Sequence, residues 1–104
     1  MQNQTVTDWL IENQLNYDQI NFIETILTFT TMVKKQPNSK EKINESFQKQ
    51  FPNKNAVLKP DLTYKEFTQI LKDNSIEVNP IELLHRYRTQ GICVNICDEW
   101  LGQL

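Results

Sequence analysis

Side chains that can contact nucleic acid lie close together between residues 79 and 91, where the sequence reads NPIELLHRYRTQG. The guanidinium groups of Arg86 and Arg88 can bind phosphates or the edge of guanine, and the amide of Gln90 matches adenine. His85 lies directly before them. If the apolar side chains of this segment face a core, these four polar side chains stay exposed. The segment therefore predicts a nucleic-acid interface.

A run of lysines could add contacts to phosphates. Seven lysines and two glutamates lie between Lys34 and Lys59, and we take Lys40 and Lys42 as candidate nucleic-acid-binding residues. The net charge of the chain is −2, so its bulk electrostatics does not favour a polyanion. The alternative is a solvated helix face and loop that bind no partner.

The second half of the chain is acidic and suggests a different kind of partner. From residue 60 onward there are seven acidic and four basic side chains. Glu77 and Glu82 are candidate contacts to a basic protein surface, because complementary charge steers and orients association. Carboxylates in helix caps and first turns explain part of this set without any partner.

The two tryptophans allow either a core contact or an interface. Trp9 and Trp100 lie near the two ends of the chain. They can pack on each other and close a helical bundle, or Trp100 can serve as an exposed aromatic anchor for a partner. The apolar residues of the C-terminal WLGQL sequence are compatible with a homodimer seam.

Catalytic chemistry has little support in the sequence. Cys93 and Cys97 are spaced i, i+4, unlike a redox or zinc pair, and His85 is the single histidine. We expect no enzyme activity, no cofactor and no metal. We expect reduced thiols packed in a helix, as in a cytoplasmic protein. No apolar run reaches the length of a membrane span, and the N-terminal MQNQTVTDW has no signal-peptide pattern.

Helices are the elements that must position these residues. Six helical segments are predicted, each after a capping residue or a turn signal: 5–16, 17–36, 38–51, 63–73, 79–90 and 92–101. The second is apolar on more than one face, which is typical of a central helix. Asn38 and Glu41 have the spacing of a capping box. A polar linker over 53–61 joins the two halves, 1–52 and 61–104, of one domain that spans residues 1–104.

The fourth and fifth predicted helices carry the pattern that points most directly to a function. Their boundaries show start and stop signals: a capping box at Thr63 and Glu66, an N-cap with proline at Asn79 and Pro80, and a C-terminal Gly91. In a helix-turn-helix, the second helix enters the major groove of DNA. Glu82 opposes this role because it would face a polyanion. The alternative is an ordinary helical hairpin with solvated arginines.

The same stretch, residues 63–91, resembles the lambda-repressor-like helix-turn-helix superfamily. The likeness is carried by an aromatic residue, a glutamate, core apolar residues, a polar cap and a closing glycine: Tyr64, Glu66, Phe67, Leu71, Ile76, Asn79, Pro80, Leu83 and Gly91. Ser75 stands where these families usually have glycine, and their arginine–lysine signature is kept in part, as Arg86 and Arg88. The resemblance implies a small DNA-binding regulator that acts as a dimer.

The sequence therefore predicts an all-α single domain, a small bundle of five or six helices with a helix-turn-helix-like C-terminal half. The preferred function is DNA binding by a small non-enzymatic regulator of bacterial, plasmid or phage type. The alternative is a phage- or mobile-element-encoded inhibitor of anti-CRISPR or anti-restriction type, which would cover a surface of a host defence protein. That alternative is based on the general character of a small, slightly acidic helical chain.

Overall fold

The computed structural model describes residues 4–104 as six α-helices and one 3₁₀ turn. The helices are α1 (Val6–Glu12), α2 (Tyr17–Lys35), α3 (Lys40–Gln50), α4 (Tyr64–Asp73), α5 (Pro80–Gln90) and α6 (Val94–Leu101). No strand occurs between residues 4 and 104, so the all-α prediction is confirmed. No helix in that range is long and apolar enough to cross a bilayer. Residues 1–3 lie outside the described residues. They are the first residues of the N-terminal segment in which we predict no signal peptide.

Side-chain caps determine where most of the helices begin. In four helices the N-cap side chain accepts a hydrogen bond from the backbone N–H three residues later, at Thr5, Asn16, Thr63 and Asn79. A cap of this kind stabilises a helix by about 1 kcal/mol. The predicted capping box of Thr63 and Glu66 is confirmed in both directions.

Two predicted helix starts are wrong. The capping box expected at Asn38 and Glu41 does not form, because Pro37–Ser39 is a 3₁₀ turn and α3 begins only at Lys40 without a side-chain cap. Proline fixes φ near its helical value and so begins the turn one residue early. The last helix begins at Val94 instead of Ile92, because Cys93 has a left-handed backbone with φ 49°.

The central helix α2 separates two sides of the molecule. On one side, the rings of Phe22 and Phe29 lie 5.6 and 5.9 Å from the Phe47 ring of α3, measured between centroids. On the other side, Glu24 accepts a hydrogen bond from the hydroxyl of the buried Tyr87 in α5. The hydroxyl of Thr28 contacts the sulfur of Cys93, the residue directly before α6. Positions 22 and 24 point about 200° apart around a helix. Helix α3 therefore lies opposite α5 and α6.

Trp100 closes the core of the C-terminal half. Its ring is fully buried and stacks on Phe67 of α4 at 4.6 Å between centroids, and its Nε1 donates to the Leu62 carbonyl at 2.7 Å. The prediction that Trp100 is an exposed anchor for a partner is therefore wrong, because a ring with a satisfied N–H packs as core. Trp9 instead lies under Arg86, so the two tryptophans close different parts of the core.

Two asparagine side chains hold the linker between α3 and α4. Asn44 accepts from the Leu58 N–H and donates to the Leu58 carbonyl, both at 2.8 Å. Asn74 does the same for the N–H and carbonyl of Asn55, both at 2.9 Å. A carboxamide has one acceptor and one donor group, so it can satisfy both main-chain groups of a residue that lies outside regular structure.

Asn44→Ala removes both hydrogen bonds to the buried Leu58 and leaves its main-chain groups unpaired. We expect the free energy of unfolding to fall by about 1–3 kcal/mol, measured by urea denaturation. Asn38→Ala is the matched control, because Asn38 is exposed, and it should change stability by less than about 0.5 kcal/mol. Equal losses in the two variants would contradict the role of Asn44.

Thr30 of α2 is a buried polar residue in an apolar environment. Its side chain is fully buried, and within the described part of the chain its hydroxyl has no hydrogen-bond partner. Other α2 threonines, Thr25, Thr28 and Thr31, donate to the carbonyl four residues earlier. An unpaired buried hydroxyl costs stability relative to an apolar group of the same shape.

Thr30→Val should leave the free energy of unfolding unchanged or raise it by up to about 1 kcal/mol, because valine fills the same volume without a polar atom. Thr30→Ser keeps the hydroxyl but loses a buried methyl group, so it should lower stability by roughly 0.8 kcal/mol. Thermal and urea denaturation of both variants test this pair. A clear loss of stability in the valine variant would mean that the hydroxyl has a partner.

Candidate nucleic-acid interface

Helix α5 presents a polar outer face between α1 and α6. The helix begins at Asn79, whose side chain accepts from the Glu82 N–H at 3.0 Å, and ends at Gly91, which has the predicted left-handed backbone with φ 83°. The three apolar residues expected to face inward are buried: Leu83, Leu84 and Tyr87. Exposed residues follow at i, i+1, i+4, i+7 and i+8, and they define the outer face of α5: Ile81, Glu82, His85, Arg88 and Thr89.

The hinge between α4 and α5 has one special backbone position. Ser75 adopts a left-handed conformation with φ 59°. A left-handed backbone is costly for a residue with a Cβ atom. The chain therefore turns between α4 and α5 at a position that glycine would occupy at lower cost. Glu77, a predicted partner contact, is exposed in the same hinge.

Arg86 is directed toward α1 and only partly toward solvent. Its guanidinium carbon lies 4.6 Å from the centre of the Trp9 ring, a cation–π contact. Its Nε and Nη2 lie 3.0 and 2.9 Å from the Glu82 carboxylate, and its Nη1 donates to the side-chain oxygen of Gln4 at 3.2 Å. Because three groups hold the guanidinium, Arg86 mainly fastens α1 to α5.

Gln90 also connects α5 to α1. Its side-chain oxygen accepts a hydrogen bond from the Val6 N–H at 2.7 Å and so satisfies one of the free N–H groups at the start of α1. Pairing with adenine needs this oxygen as an acceptor and the amide nitrogen as a donor. In this structure the oxygen binds the Val6 N–H instead, so Gln90 supports α1.

Arg88 lies on the opposite flank of α5, next to α6. Its Nε donates to the carboxylate of Asp98, and the side chains of the pair are 51% and 48% exposed. Exposed ion pairs contribute only about 0.2–1 kcal/mol. Arg88 can therefore exchange this carboxylate for another anion at low cost, whereas Arg86 would lose three contacts at once.

A cleft of about 570 Å³ opens between the start of α1 and the outer face of α5. Its lining includes Thr5, Glu82, His85, Arg86, Thr89 and Gln90. The cleft brings together three of the four α5 residues predicted to contact nucleic acid. Arg88 lies apart from them, on the flank that faces α6.

The predicted lysines lie on a different surface. Lys40 and Lys42 are exposed on α3, which packs on the side of α2 opposite to α5 and α6. Three other lysines of the basic run form ion pairs with carboxylates: Lys34 with Glu99 at 2.7 Å, Lys54 with Asp18 at 3.0 Å and Lys59 with Glu66 at 2.6 Å. The structure therefore does not bring Lys40 and Lys42 together with the α5 residues.

The thiols are a buried and a half-buried pair near α6. Burial, helped by the nearby Cys93, raises the pKa of Cys97 to about 12. Because the thiolate is the reactive form, Cys97 is inert as a nucleophile near neutral pH. Between residues 4 and 104, no three His, Cys, Asp or Glu side chains are grouped so that they could hold a metal ion.

Sequence reasoning had no signal for the contacts that α5 makes with α1 and α6. Gln4 and Asp98 lie 82 and 10 residues from their arginine partners.

A search of protein-family models, of curated proteins and of solved structures found no match to the chain.

Arg86→Ala should lower the free energy of unfolding by about 1–2 kcal/mol, because it removes the contact with Trp9 and the hydrogen bonds to Glu82 and Gln4. Arg88→Ala removes a single exposed ion pair and should cost less than about 1 kcal/mol. Urea denaturation followed by tryptophan fluorescence compares the two variants. A larger loss for Arg88→Ala would contradict the assignment of Arg86 as the residue that fastens α1.

Proposed function

We propose that the protein is a small, non-enzymatic, cytoplasmic DNA-binding regulator in which α5 is the recognition helix. The observation that supports this proposal is the unit formed by α4, its hinge and α5. Both helices have side-chain N-caps, Ser75 and Gly91 have left-handed backbones, and the outer face of α5 is exposed. This arrangement agrees with the resemblance of residues 63–91 to lambda-repressor-like helix-turn-helix proteins.

The structure changes the roles that we assign within this proposal. Arg88, His85 and Thr89 are the contacts to DNA, since they are exposed on α5. Arg86 and Gln90 are positioning residues, because their contacts with Trp9 and Val6 hold α1 against α5. Lys40 and Lys42 lie on the opposite side of α2, so they could not contact the DNA segment that α5 binds.

Charge on the outer face of α5 limits the electrostatic part of binding. Arg88 and Glu82 are its charged residues, and their charges cancel. Each phosphate neutralised by a protein adds about −0.9 to the slope of log K against log salt. With about one or two phosphate contacts, we expect a slope of roughly −1 to −2.

Arg88→Ala should weaken binding of a labelled random-sequence duplex by about fivefold or more, since one arginine contact is worth about 1–3 kcal/mol. Fluorescence anisotropy at low and moderate salt measures this affinity. Lys42→Ala is the matched control, because it removes one positive charge from the opposite side of α2. We expect it to leave the affinity within about twofold of the unchanged protein.

The result distinguishes three outcomes. Loss of binding in the Arg88 variant alone supports α5 as the recognition helix. Loss in the Lys42 variant alone would move the interface to α3 and contradict the proposal. If the folded, unchanged protein binds no duplex even at low salt, DNA binding is wrong.

A second candidate function is protein binding by a phage- or mobile-element-encoded inhibitor of anti-CRISPR or anti-restriction type. The observation that favours it is the mixed chemistry of the outer face of α5, where Ile81 is 42% exposed beside Glu82 and His85. Such a neutral, partly apolar surface with an adjacent cleft suits a protein partner better than a polyanion. Under this second function, Ile81→Asp should abolish capture of a host protein. Neither the unchanged protein nor any variant should then bind duplex.

The homodimer remains part of the DNA-binding proposal. Dimeric helix-turn-helix proteins place two recognition helices in successive major grooves, about one helical turn apart. Sedimentation of the protein with and without duplex would determine the stoichiometry.

A further inference from the structure

We propose that Asp98 is a built-in competitor for the phosphate that Arg88 would bind, so that α6 sets the DNA affinity of α5 by an autoinhibitory contact. This inference rests on the proposed DNA-binding function. It adds a regulatory residue on a different helix, outside the stretch 63–91 that resembles a helix-turn-helix.

The turn between α5 and α6 holds the carboxylate in place. Gly91 ends α5 with a left-handed backbone, and the Ile92 N–H donates to the Tyr87 carbonyl at 2.9 Å. Cys93 then turns the chain into α6 with its own left-handed backbone. Helix α6 is further anchored by the fully buried Trp100. Asp98 is therefore presented to the last turn of α5 by a fixed piece of backbone.

The contact uses the same chemistry as phosphate binding. The Arg88 Nε donates to a carboxylate oxygen of Asp98, and guanidinium groups bind carboxylates and phosphates through the same N–H donors. A phosphate that takes the Nε donor must displace the carboxylate. Asp98 thus competes with the phosphate for Arg88.

Helix α6 contains a control for the effect of net charge. Glu99 is the next residue, carries the same charge, and is directed to the other side of the helix, where it pairs with Lys34 of α2 at 2.7 Å. Asp98→Asn and Glu99→Gln change the net charge by the same amount and preserve side-chain shape. Only Asp98→Asn removes the negative charge that lies next to Arg88.

The test is fluorescence anisotropy of a labelled duplex with the unchanged protein and four variants: Asp98→Asn, Glu99→Gln, Arg88→Ala and the double variant Asp98→Asn with Arg88→Ala. We expect Asp98→Asn to bind about three- to fivefold more tightly and to steepen the salt slope by up to about one phosphate. Glu99→Gln should stay within about twofold. In the double variant the gain should disappear, because the interaction partner of Asp98 is absent.

The outcomes distinguish the inference from the proposed function. If the unchanged protein binds duplex but Asp98→Asn binds no more tightly, or if Glu99→Gln gains equally, the competitor role is wrong and DNA binding stands. A gain in Asp98→Asn that persists without Arg88 would also overturn it. If neither the unchanged protein nor Asp98→Asn binds duplex while circular dichroism shows both folded, the proposed function itself fails.

Discussion

The structure depends above all on the burial of two sides of α2. Phenylalanines at positions 22 and 29 pack against α3, while positions 24 and 28 meet α5 and α6. A helix that is apolar around much of its surface has to be covered on more than one side. The consequence is a molecule with two unrelated polar surfaces, one on α3 and one on α5. Any function of α5 must rely on charged side chains near α5, since the lysines of α3 lie on the opposite side of the core.

Local carboxylates govern the chemistry of α5. Glu82 and Asp98 each hold one arginine of the helix. Breaking the Arg86 pair costs more free energy than breaking the Arg88 pair. Arg86 also lies over the Trp9 ring and donates to Gln4, whereas Arg88 is exposed and has a single ion pair. Exposed pairs are weak and exchangeable, while a group held by several contacts is part of the structure. The same residue type therefore has a structural role at position 86, and we propose a binding role for it at position 88.

Helix boundaries followed from the sequence wherever a short-range contact decides them. Caps at Thr5, Asn16, Thr63 and Asn79 bond to the residue three positions later, so their geometry is encoded within a few residues. Prediction failed at Asn38, where the proline before it started a 3₁₀ turn. It failed again at Ile92, because Cys93, which lies against Thr28 of α2, has a left-handed backbone and α6 begins only at Val94. Both errors lie at positions where two local preferences compete or where tertiary contacts override them.

By itself, the sequence determined the all-α class, the capped starts of four helices, the inward face of α5 and its closing glycine, because these depend on periodicity and on hydrogen bonds between near neighbours. Tertiary structure alone decided that Trp100 is core, that Gln90 caps α1, and that Asp98 binds Arg88. It also decided that Lys40 and Lys42 lie opposite α5. These facts join residues distant along the chain, and no local pattern encodes which helix faces meet.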